Sequence, residues 1–380
     1  MDVVKKAAAA AEEEEVHGVV IVGGGLCGLA TAIALHRKGM GSLVVERSEA
    51  LRVGGVALNV HANGWRALEE LGLADGLRKT ANLITSVRMV RQIQGKNQTT
   101  VSSPRKEIRC LRRKDVMEAL AKSVPAHTIR YGCRIVAVDE DPGTDCTLPR
   151  FIVLGFASYP EGHPFGTEFS QIIADDFAVG RVPINENLLH FFVSRSPSPG
   201  RTDVDEDAAR KYVLEKVDEL PGEVADMVRR CDEASSWTLT KVWYRPPWQV
   251  ALAGFRRGAV TVAGDAMHAM GPFIGQGGSA GLEDAVVLAR SLSSSGAAGG
   301  DGRAPPAPPR QLLVRDDVGA AIDEYVAERR RRATTLCLHS FAIGTLLTTR
   351  WLAVKLACVA VLALLGGDSR RDADYDCGRL

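Results

Sequence analysis

Apolar and polar positions near the N-terminus follow a pattern that predicts a βαβ unit. Residues 19–22 form a short apolar run of β-branched residues, which is typical of a buried strand. Glycines follow, then an Ala- and Leu-rich stretch to Leu35 that predicts a helix, and then a second apolar run at 43–45. Strand, helix and strand in this order predict two parallel strands, so the chain should begin with an α/β sheet.

The pattern changes in the middle of the chain and then returns. Apolar residues recur at helical spacing over 61–79 and 112–124, which predicts two amphipathic helices. From 149 to 250 short apolar runs alternate with Pro and Gly, which predicts a separate β-rich part, interrupted by one helix over 205–230. A strand–turn–helix unit follows at 259–292. The pattern therefore predicts an α/β fold with a β-rich insertion.

Composition and charge indicate a globular protein without a polymeric partner. The 380 residues suffice for two domains, and 46% hydrophobic with 24% charged residues is the range of soluble globular chains. A formal net charge of +1 gives no support for nucleic-acid binding. The eight cysteines show neither CxxC pairs nor metal-ligand spacing, which predicts a reducing, cytoplasmic location and no metal site.

Both ends of the chain differ from the part between them. Residues 1–16 lack the apolar core of a signal peptide and contain four consecutive glutamates, so they are predicted to be a disordered leader. Residues 351–367 are strongly apolar, but they contain Lys355 and fall short of the roughly 20 residues of a membrane-spanning helix. Two interpretations stay open: a helix packed against the protein, or one that crosses or lies on a membrane and gives weak membrane association.

A first glycine motif lies between the first strand and the first helix. Gly23, Gly25 and Gly28 match G-x-G-x-x-G, in which the first Gly permits a tight turn, the second admits a pyrophosphate and the third lets helix and strand pack closely. The helix N-terminus, including the N–H of Cys27, presents donors to phosphate groups. Glu46 ends the second strand, where a carboxylate binds an adenosine ribose and disfavours a 2′-phosphate. This motif alone supports FAD and NAD equally.

A second glycine motif distinguishes between FAD and NAD as the predicted ligand. Asp265 follows the apolar run 260–263, and the glycine-rich residues 275–279 open a further helix. The Asp is placed to bind a hydroxyl or phosphate group, while the glycine run presents N–H groups and a helix dipole to a second, electron-rich group. One dinucleotide with an adenosine end and a distant redox end would meet both motifs. The pair of motifs therefore favours FAD, since an NAD-dependent dehydrogenase would leave the second one without a ligand.

In combination, these motifs resemble those of a known enzyme family. The sequence is similar to the FAD-dependent aromatic hydroxylases of the p-hydroxybenzoate and salicylate hydroxylase type, and among them to the plant flavin monooxygenases. The resemblance covers 17–138 and 149–333. The motifs that carry it are GGGLCG at 23–28, VVER at 44–47, LRRKDVMEAL at 111–120, GDAMH at 264–268 with Pro272, and GQGGSAGLEDA at 275–285.

The resemblance implies roles for the residues of the first motif and its neighbours. Glu46, with Arg47, would bind the adenosine ribose. Arg113 would reach the ribityl-phosphate region of the flavin cofactor. The residues that would hold the pyrophosphate are Gly23, Gly25, Cys27 and Gly28.

The resemblance also implies roles around the second motif. Asp265 would bind the ribityl or pyrophosphate part of FAD, and Pro272 would shape the backbone that faces the isoalloxazine ring. His268 would be structural, and no side chain is expected to be catalytic. N–H donors near the flavin N1–C2=O edge, where negative charge accumulates on reduction, would come from Gly275, Gln276, Gly277, Gly278 and Ser279.

The activity that the resemblance implies is carried by the cofactor. NAD(P)H would reduce bound FAD, reduced flavin and O₂ would give a C4a-hydroperoxide, and one oxygen atom would be transferred to a small aromatic substrate. The substrate would lie under the β-rich part, where His163 and His190 are pocket candidates, although the interpretation as core or rim histidines is favoured. The choice between NADH and NADPH stays open.

The resemblance also implies a domain organisation. A Rossmann-like, discontinuous FAD-binding domain would carry an inserted β-rich substrate domain, with a low-complexity loop and an apolar tail near the C-terminus. The predicted segments are 17–80, 105–140 and 250–345 for the FAD-binding domain, 81–104 and 149–249 for the substrate domain, 293–310 for the loop and 346–380 for the tail.

One expected motif is missing between the two glycine motifs. Members of this family carry an Asp-Gly pair after a middle strand, and this sequence has none between 139 and 152. Its loss would remove one or more strands beside the FAD sheet, leave apolar surface uncovered and take away a pyrophosphate partner. We hypothesise a shortened family member with weakened FAD binding. Two functions follow as alternatives: a monooxygenase, or a flavin-binding chain with impaired or no oxygenase turnover.

Overall fold

The fold was described from a computed structural model. The structure describes residues 18–54, 57–93, 96–135, 146–173, 177–195, 222–231, 238–295, 315–349, 351–365 and 369–380. The helices are α1 (Leu26–Arg37), α2 (Ala62–Glu70), α3 (Ala74–Arg78), α4 (Arg113–Ser123), α5 (Gly222–Arg229), α6 (Pro247–Leu252), α7 (Asp265–His268), α8 (Gly277–Ser295), α9 (Arg315–Thr348) and α10 (Leu352–Leu364), with short 3₁₀ turns at Pro272–Ile274 and Ser369–Asp374.

The strands follow the same chain order. They are β1 (Val20–Val22), β2 (Leu43–Val45), β3 (Ala57–His61), β4 (Ser86–Ile93), β5 (Lys96–Ser102), β6 (Ile108–Arg112), β7 (Ile129–Arg130), β8 (Cys146–Ser158), β9 (Glu168–Ile173), β10 (Phe177–Asn185), β11 (Leu188–Arg195), β12 (Thr238–Tyr244), β13 (Arg256–Arg257) and β14 (Val260–Thr261).

A parallel sheet ordered β1–β2–β7 anchors the N-terminal part of the chain. Val20 pairs with Leu43, and Val44 pairs with Ile129. Helix α1 is buried along most of its length, which suits its Ala- and Leu-rich sequence, and it packs between α4 and α8. Gly39 follows this helix with a φ of 73°, a left-handed conformation that ends helices and that glycine adopts at little cost. The predicted βαβ unit is therefore present.

A larger sheet of seven strands, ordered β12–β8–β11–β10–β9–β4–β5, lies over the α/β part. Most neighbours are antiparallel, but β4 pairs with β9 in parallel register, with Val87 beside Phe169. Two separate stretches of chain thus share this sheet, because β4 and β5 precede α4 whereas the other strands follow it.

Alternation along β11 divides its side chains between the two faces of the large sheet. Leu189, Phe191 and Val193 are buried in an apolar cluster with the residues of α5. The residues between them, His190 and Phe192, point to the opposite face, as the period of two in a strand requires. The large sheet therefore presents one face to its own core and the other to the α/β part.

The C-terminal third of the described chain packs onto the α/β part. Helix α9 spans 34 residues and contacts α6, α8 and α10. Its buried face includes Tyr325 and Arg329, both fully enclosed. Residues 369–380 return across α2, where Arg66 donates to the carbonyls of Asp374 and Tyr375. Residues 369–380 are thus polar and packed against α2 through these hydrogen bonds. Within the predicted tail 346–380, the apolar residues are concentrated in α10.

The predicted fold class, an α/β FAD-type domain with a β-rich insertion, is confirmed, whereas the domain boundaries stay predictions. The predicted helix 61–79 is interrupted: α2 and α3 are separated at Gly72, which has a φ of 75°. The leader 1–16, much of the predicted helix 205–230 and most of the predicted loop 293–310 lie outside the described residues. Among the described helices, none has the length and apolarity to span a membrane.

Candidate functional site

A large cavity lies between the two sheets, with a volume of about 2350 Å³. Both glycine motifs line it from the α/β side, and one face of the seven-stranded sheet lines it from the other. The volume exceeds the 300–1,000 Å³ that is usual for a single small ligand. There is room for a large cofactor and a second small molecule in one continuous space.

The first glycine loop is shaped by backbone geometry that only glycine tolerates well. Gly23 has a φ of 105°, and a Cβ at Gly28 would lie 2.1 Å from the carbonyl oxygen of Gly23. Gly25, in contrast, is extended, and a Cβ there would meet no atom within 4 Å. The N-terminus of α1 has no side-chain cap. The loop is therefore tight between strand and helix but open above Gly25, as a phosphate cradle requires.

The two glycine motifs are in direct contact with each other. A Cβ built on Gly264 would lie 3.0 Å from the Cβ of Cys27, and one built on Gly281 would lie 3.5 Å from the same atom. Burial raises the pKa of the Cys27 thiol far above its usual range, with Asp284 adding to the shift. Cys27 thus stays a neutral thiol in a crowded turn, and the contact places the N-termini of α1 and α8 at one cavity.

Glu46 lies beneath the first loop rather than in the cavity. Its Oε2 accepts from the N–H of Gly24 at 2.8 Å and its Oε1 accepts from the N–H of Ser48 at 2.9 Å. Burial raises its pKa, but these hydrogen bonds and Arg52 outweigh burial, so the pKa is lowered overall. Arg52 lines the cavity and contacts Glu46, while Arg47 is exposed and outside the cavity lining. Arg52 was not singled out from the sequence, since no motif marks it.

Arg113 and Asp265 approach the cavity from different elements. Arg113 begins α4 and Asp265 begins α7, and both line the cavity. Burial lowers the pKa of Arg113, Asp265 opposes that shift and Arg52 adds to it. Asp265 acts on this guanidinium as an anion and Arg52 as a cation. The three side chains place mixed charge beside the glycine loops, suitable for phosphate and hydroxyl groups.

The second glycine loop runs from Pro272 to the start of α8. Pro272 opens a 3₁₀ turn, and Gly275 follows with a φ of 62°. A Cβ on Gly275 would lie 3.1 Å from Nε2 of His61, which also lines the cavity. Burial lowers the pKa of His61 to about 4, opposed by Asp372. The loop is therefore tightly packed against a neutral imidazole.

Two predicted residues of this loop face inward, away from the cavity. Gln276 Oε1 accepts from Nδ2 of Asn63 at 2.8 Å, and the Oγ of Ser279 accepts from the N–H of His61 at 3.4 Å. Both side chains are buried and do not line the cavity, whereas Gly277 and Gly278 do line it. Gln276 and Ser279 can thus serve the cavity only through their backbone groups, while their side chains fix the loop to β3 and α2.

A buried ionic cluster supports both motifs from behind. Asp284 Oδ2 accepts from the N–H of Gly264 and from Nε2 of His268, both at 2.7 Å, and its Oδ1 accepts from Nε of Arg329 at 2.6 Å. Arg329 also pairs with Glu283 at 2.7 Å. Burial lowers the pKa of His268, but Asp284 outweighs burial and raises it overall. The side chains of His268, Glu283, Asp284 and Arg329 are fully enclosed; His268 does not line the cavity, and its structural role stays a prediction.

The C-terminal segment extends this cluster toward the cavity. Arg332 contacts Glu283 at 3.1 Å and also contacts Asp372, whose Oδ2 lies 2.7 Å from Nδ1 of His339. The next residues, Ala373 and Asp374, line the cavity. The polar end of the chain therefore forms part of the cavity wall.

The strands that lead into the two motifs leave an open edge. β1 pairs with β2 and β14 pairs with β13, and among the described residues no strand joins β1 to β14. Val20, Val22 and Val260 are 50%, 61% and 46% exposed, and all three line the cavity. An apolar slot therefore lies between the two strands.

Comparison with known proteins identifies the family to which this geometry belongs. Residues 17–145 and 160–303 match the family described as the FAD binding domain. The chain belongs to this family of FAD-dependent monooxygenases. It is 38% identical to monooxygenase 1 of Arabidopsis thaliana over 95% of this chain and 98% of the relative. It is 29% identical to monooxygenase 2 of Arabidopsis thaliana over 95% of this chain and 97% of that relative.

A solved structure shares the fold of this monooxygenase family member. Klebsiella pneumoniae HpxO complexed with FAD and uric acid superposes with a TM-score of 0.73 and 19% sequence identity, covering 94% of this chain and 95% of that one. The resemblance to FAD-dependent aromatic hydroxylases, and to their plant members, is thereby confirmed.

The structure brings most of the predicted site residues of this family member together. Those that line the cavity are Gly23, Gly25, Cys27, Gly28, Arg113, Asp265, Pro272, Gly275, Gly277 and Gly278. Those that do not are Glu46, Arg47, Gln276 and Ser279. The individual roles of these residues in cofactor binding stay predictions.

Proposed function

We propose that this chain binds FAD in the cavity and uses NAD(P)H and O₂ to hydroxylate a small aromatic substrate. The observation that carries the proposal is the convergence of the two glycine loops on one cavity that the β-rich sheet covers. Gly264, which directly precedes α7 in the second motif, lies close to Cys27 of the first loop, since a Cβ built on Gly264 would be 3.0 Å from the Cβ of Cys27. A single extended dinucleotide would meet both helix N-termini.

The residues present fit the dinucleotide that the family requires. The open space above Gly25 and the uncapped N-terminus of α1 would receive the pyrophosphate. Arg113, Arg52 and Asp265 would contact its phosphate and sugar hydroxyl groups. The N-terminus of α8, at Gly277 and Gly278, would stabilise negative charge on the ring system through N–H groups and the helix dipole. When bound, FAD would supply the transfer of electrons from NAD(P)H to O₂.

The sheet face above the cavity supplies the apolar surroundings that oxygen transfer requires. Its lining side chains are mainly apolar, and they include Ile152, Leu154, Phe169 and Phe192. Such a wall excludes water, which protects reactive oxygen species from unproductive breakdown. Uric acid is the molecule bound with FAD in HpxO, and a flat, electron-rich ring of that kind suits this cavity.

A second function, a flavin-binding chain with impaired turnover, is favoured by the open edge. The exposed valines of β1 and β14 are what the loss of a neighbouring strand would leave. The alignment with monooxygenase 1 spans 397 positions, which is more than the 380 residues of this chain. That relative therefore contains residues without a counterpart here. We propose that the shortened region around 139–152 weakens FAD binding.

One experiment separates these functions. The purified protein is titrated with FAD while its visible spectrum is recorded, and NADH and NADPH oxidation are then followed with a panel of hydroxylated aromatic compounds. Substrate-dependent oxidation with one oxygen atom incorporated from ¹⁸O₂ is the expected result. Flavin that binds but is never reduced would support the second function. A protein that takes up no FAD at all would overturn both.

We also propose that the chain is cytoplasmic and contacts membrane surfaces through α10. Trp351, Leu352, Leu356 and Leu364 are exposed apolar residues in or beside this helix, although it is too short to cross a bilayer. An exposed apolar helix can lie in the interfacial layer of a membrane. Flotation with neutral vesicles tests this, with Leu352→Ser/Leu356→Ser as the comparison. Equal flotation of both proteins would contradict the proposal.

A further inference from the structure

His190 lies on β11, in the middle of the cavity-facing side of the large sheet. It pairs with Val182 on β10 and with Phe156 on β8. The side chain is only 6% exposed, yet it lines the cavity. This buried position, enclosed by neighbouring strands, gives the imidazole a fixed orientation toward the space where a substrate would lie.

The hydrogen bond of His190 fixes which ring nitrogen carries the proton. Nδ1 lies 3.0 Å from the carbonyl oxygen of Gly155. A carbonyl oxygen only accepts, so Nδ1 is the protonated nitrogen and Nε2 carries a lone pair. Burial lowers the pKa of His190 to about 4, opposed by the bond to Gly155. The imidazole is therefore neutral near pH 7, with Nε2 available as an acceptor.

Nε2 of His190 has no hydrogen-bond partner among the described residues, and it is not enclosed by protein atoms. Because the residue is otherwise buried and lines the cavity, this nitrogen opens into the cavity. An unpaired acceptor in a largely apolar enclosure gains most from a donor that the ligand brings. The geometry therefore favours a ligand with an O–H or N–H group that can donate to Nε2.

Two aromatic rings lie beside His190, and one of them, Phe192, also lines the cavity. The rings of Phe156 and Phe192 have centroids 5.8 Å and 6.5 Å from that of His190. The tip of the Phe192 ring packs closely against Gly180, since a Cβ there would be 2.2 Å from its Cζ. The ring of Phe192 is thus the aromatic surface of the cavity wall beside His190, and a planar ligand ring can pack against it.

We propose that Nε2 of His190 accepts a hydrogen bond from a ring O–H or N–H of the substrate. The substrate class is then a phenol or an N–H heteroaromatic compound, and the O-alkylated form of the same ring is rejected. This inference rests on the proposed function, in which the cavity beside the sheet holds the ring. His190 binds and orients the ring through the hydroxyl or N–H group, which places the ring toward the glycine loops.

The test compares matched ligands that differ in this one donor. Dissociation constants are measured by calorimetry on FAD-saturated protein for phenol and anisole and for 4-hydroxybenzoate and 4-methoxybenzoate. The wild-type protein should bind the hydroxylated member of a pair at least about tenfold more tightly. His190→Leu should abolish that preference, and His190→Gln, whose amide oxygen still accepts, should retain part of it.

His163→Gln is the matched control. His163 lies in the loop after β8, where its Nε2 is 2.7 Å from the carbonyl oxygen of Asn185, and it does not line the cavity. This variant should keep the full hydroxyl preference. An unchanged preference in His190→Leu, or no preference for any hydroxylated member in the wild-type protein, would overturn the proposal.

Two further measurements keep this test independent of folding and of the proposed function. ¹⁵N spectra of the wild-type imidazole should show a shift of Nε2 with 4-hydroxybenzoate and none with 4-methoxybenzoate, so the test stands even if His190→Leu does not fold. Should the protein fail to bind FAD, the proposed function fails, while the ligand pairs are still measured on the chain alone. A missing Nε2 shift there would sink the inference separately.

Discussion

Asp284→Asn removes the charge at the centre of the buried cluster without changing the shape of the side chain. The carboxylate accepts three hydrogen bonds, from Gly264, His268 and Arg329. An amide has only one accepting oxygen, so its NH₂ group must face at least one of these donors. Donor then meets donor in a site that water does not reach.

The expected loss follows from burial. Asp284, His268 and Arg329 are all fully enclosed, and removing one partner from such a pair costs about 3–5 kcal/mol because the other charge stays buried. Arg329 keeps Glu283 at 2.7 Å, which favours the lower end of that range. The turn at Gly264 also loses its anchor, so we expect FAD binding to weaken by about tenfold or more.

Urea unfolding of the FAD-free protein, followed by circular dichroism, measures the stability change. Asp323→Asn is the matched reference, since Asp323 pairs with Arg256 at 2.5 Å on the surface and such exposed pairs contribute about 0–1 kcal/mol. The midpoint should fall far more for Asp284→Asn than for Asp323→Asn. Equal shifts in the two variants would refute the reasoning that burial makes this cluster essential.

Three further predictions test the loops, the sheet wall and the C-terminal segment. Gly25→Ala should leave the unfolding of FAD-free protein unchanged, because a Cβ there meets only open space. It should raise the FAD dissociation constant about tenfold or more, because that space is where the cofactor would lie. Gly28→Ala should destabilise the FAD-free fold, because its Cβ would lie 2.1 Å from a carbonyl oxygen. If both variants behave alike in the FAD-free state, the loop assignment is wrong. Burial lowers the pKa of His190 to about 4, so the unfolded chain binds a proton at this residue before the folded chain does as pH falls below 6.5. The free energy of unfolding should therefore fall by about 3 kcal/mol by pH 4. Urea titrations of His190→Gln should show a smaller loss of stability over that range. A parallel loss in the variant would contradict the assignment. Asp372→Asn should lower the free energy of unfolding by about 1–3 kcal/mol, because the buried carboxylate meets an imidazole on α9 at 2.7 Å, and a midpoint no lower than that of Asp323→Asn would argue against a held C-terminal segment.

Local patterns predicted the parts of the site that local geometry determines. The left-handed φ of Gly23 and the close approach of Gly28 to the strand are properties of a turn only a few residues long, and the motif spacing states them directly. The same applies to the start of α4 at Arg113. The β-rich insertion was also readable, since Pro and Gly interrupt apolar runs at strand length.

Long-range pairings were not readable in the same way. Asp284 and Arg329 are 45 residues apart, and nothing in either segment indicates that the two side chains meet. The parallel pairing of β4 with β9 is similarly remote along the chain. For Glu46, the sequence predicted the position after β2 but not the direction of the side chain. Its carboxylate accepts a hydrogen bond from the N–H of Gly24 beneath the loop, and this contact depends on the packing of the folded chain.

The open edge between β1 and β14 connects the sequence hypothesis with the question of activity. Both strands end in loops that would hold FAD, yet their valines lie exposed in the cavity wall. A strand in that slot would cover this apolar surface, satisfy backbone groups along β1 and keep water away from the pyrophosphate. Without such a strand, the glycine loops can still present their N–H groups, since the positions of those groups depend on α1 and α8. The phosphates of FAD would be more hydrated, however, and each hydrogen bond to them would contribute less to binding. If the hypothesis of a lost segment is right, FAD binding and efficient turnover can be separated in this chain, and we expect the affinity for FAD to be affected first.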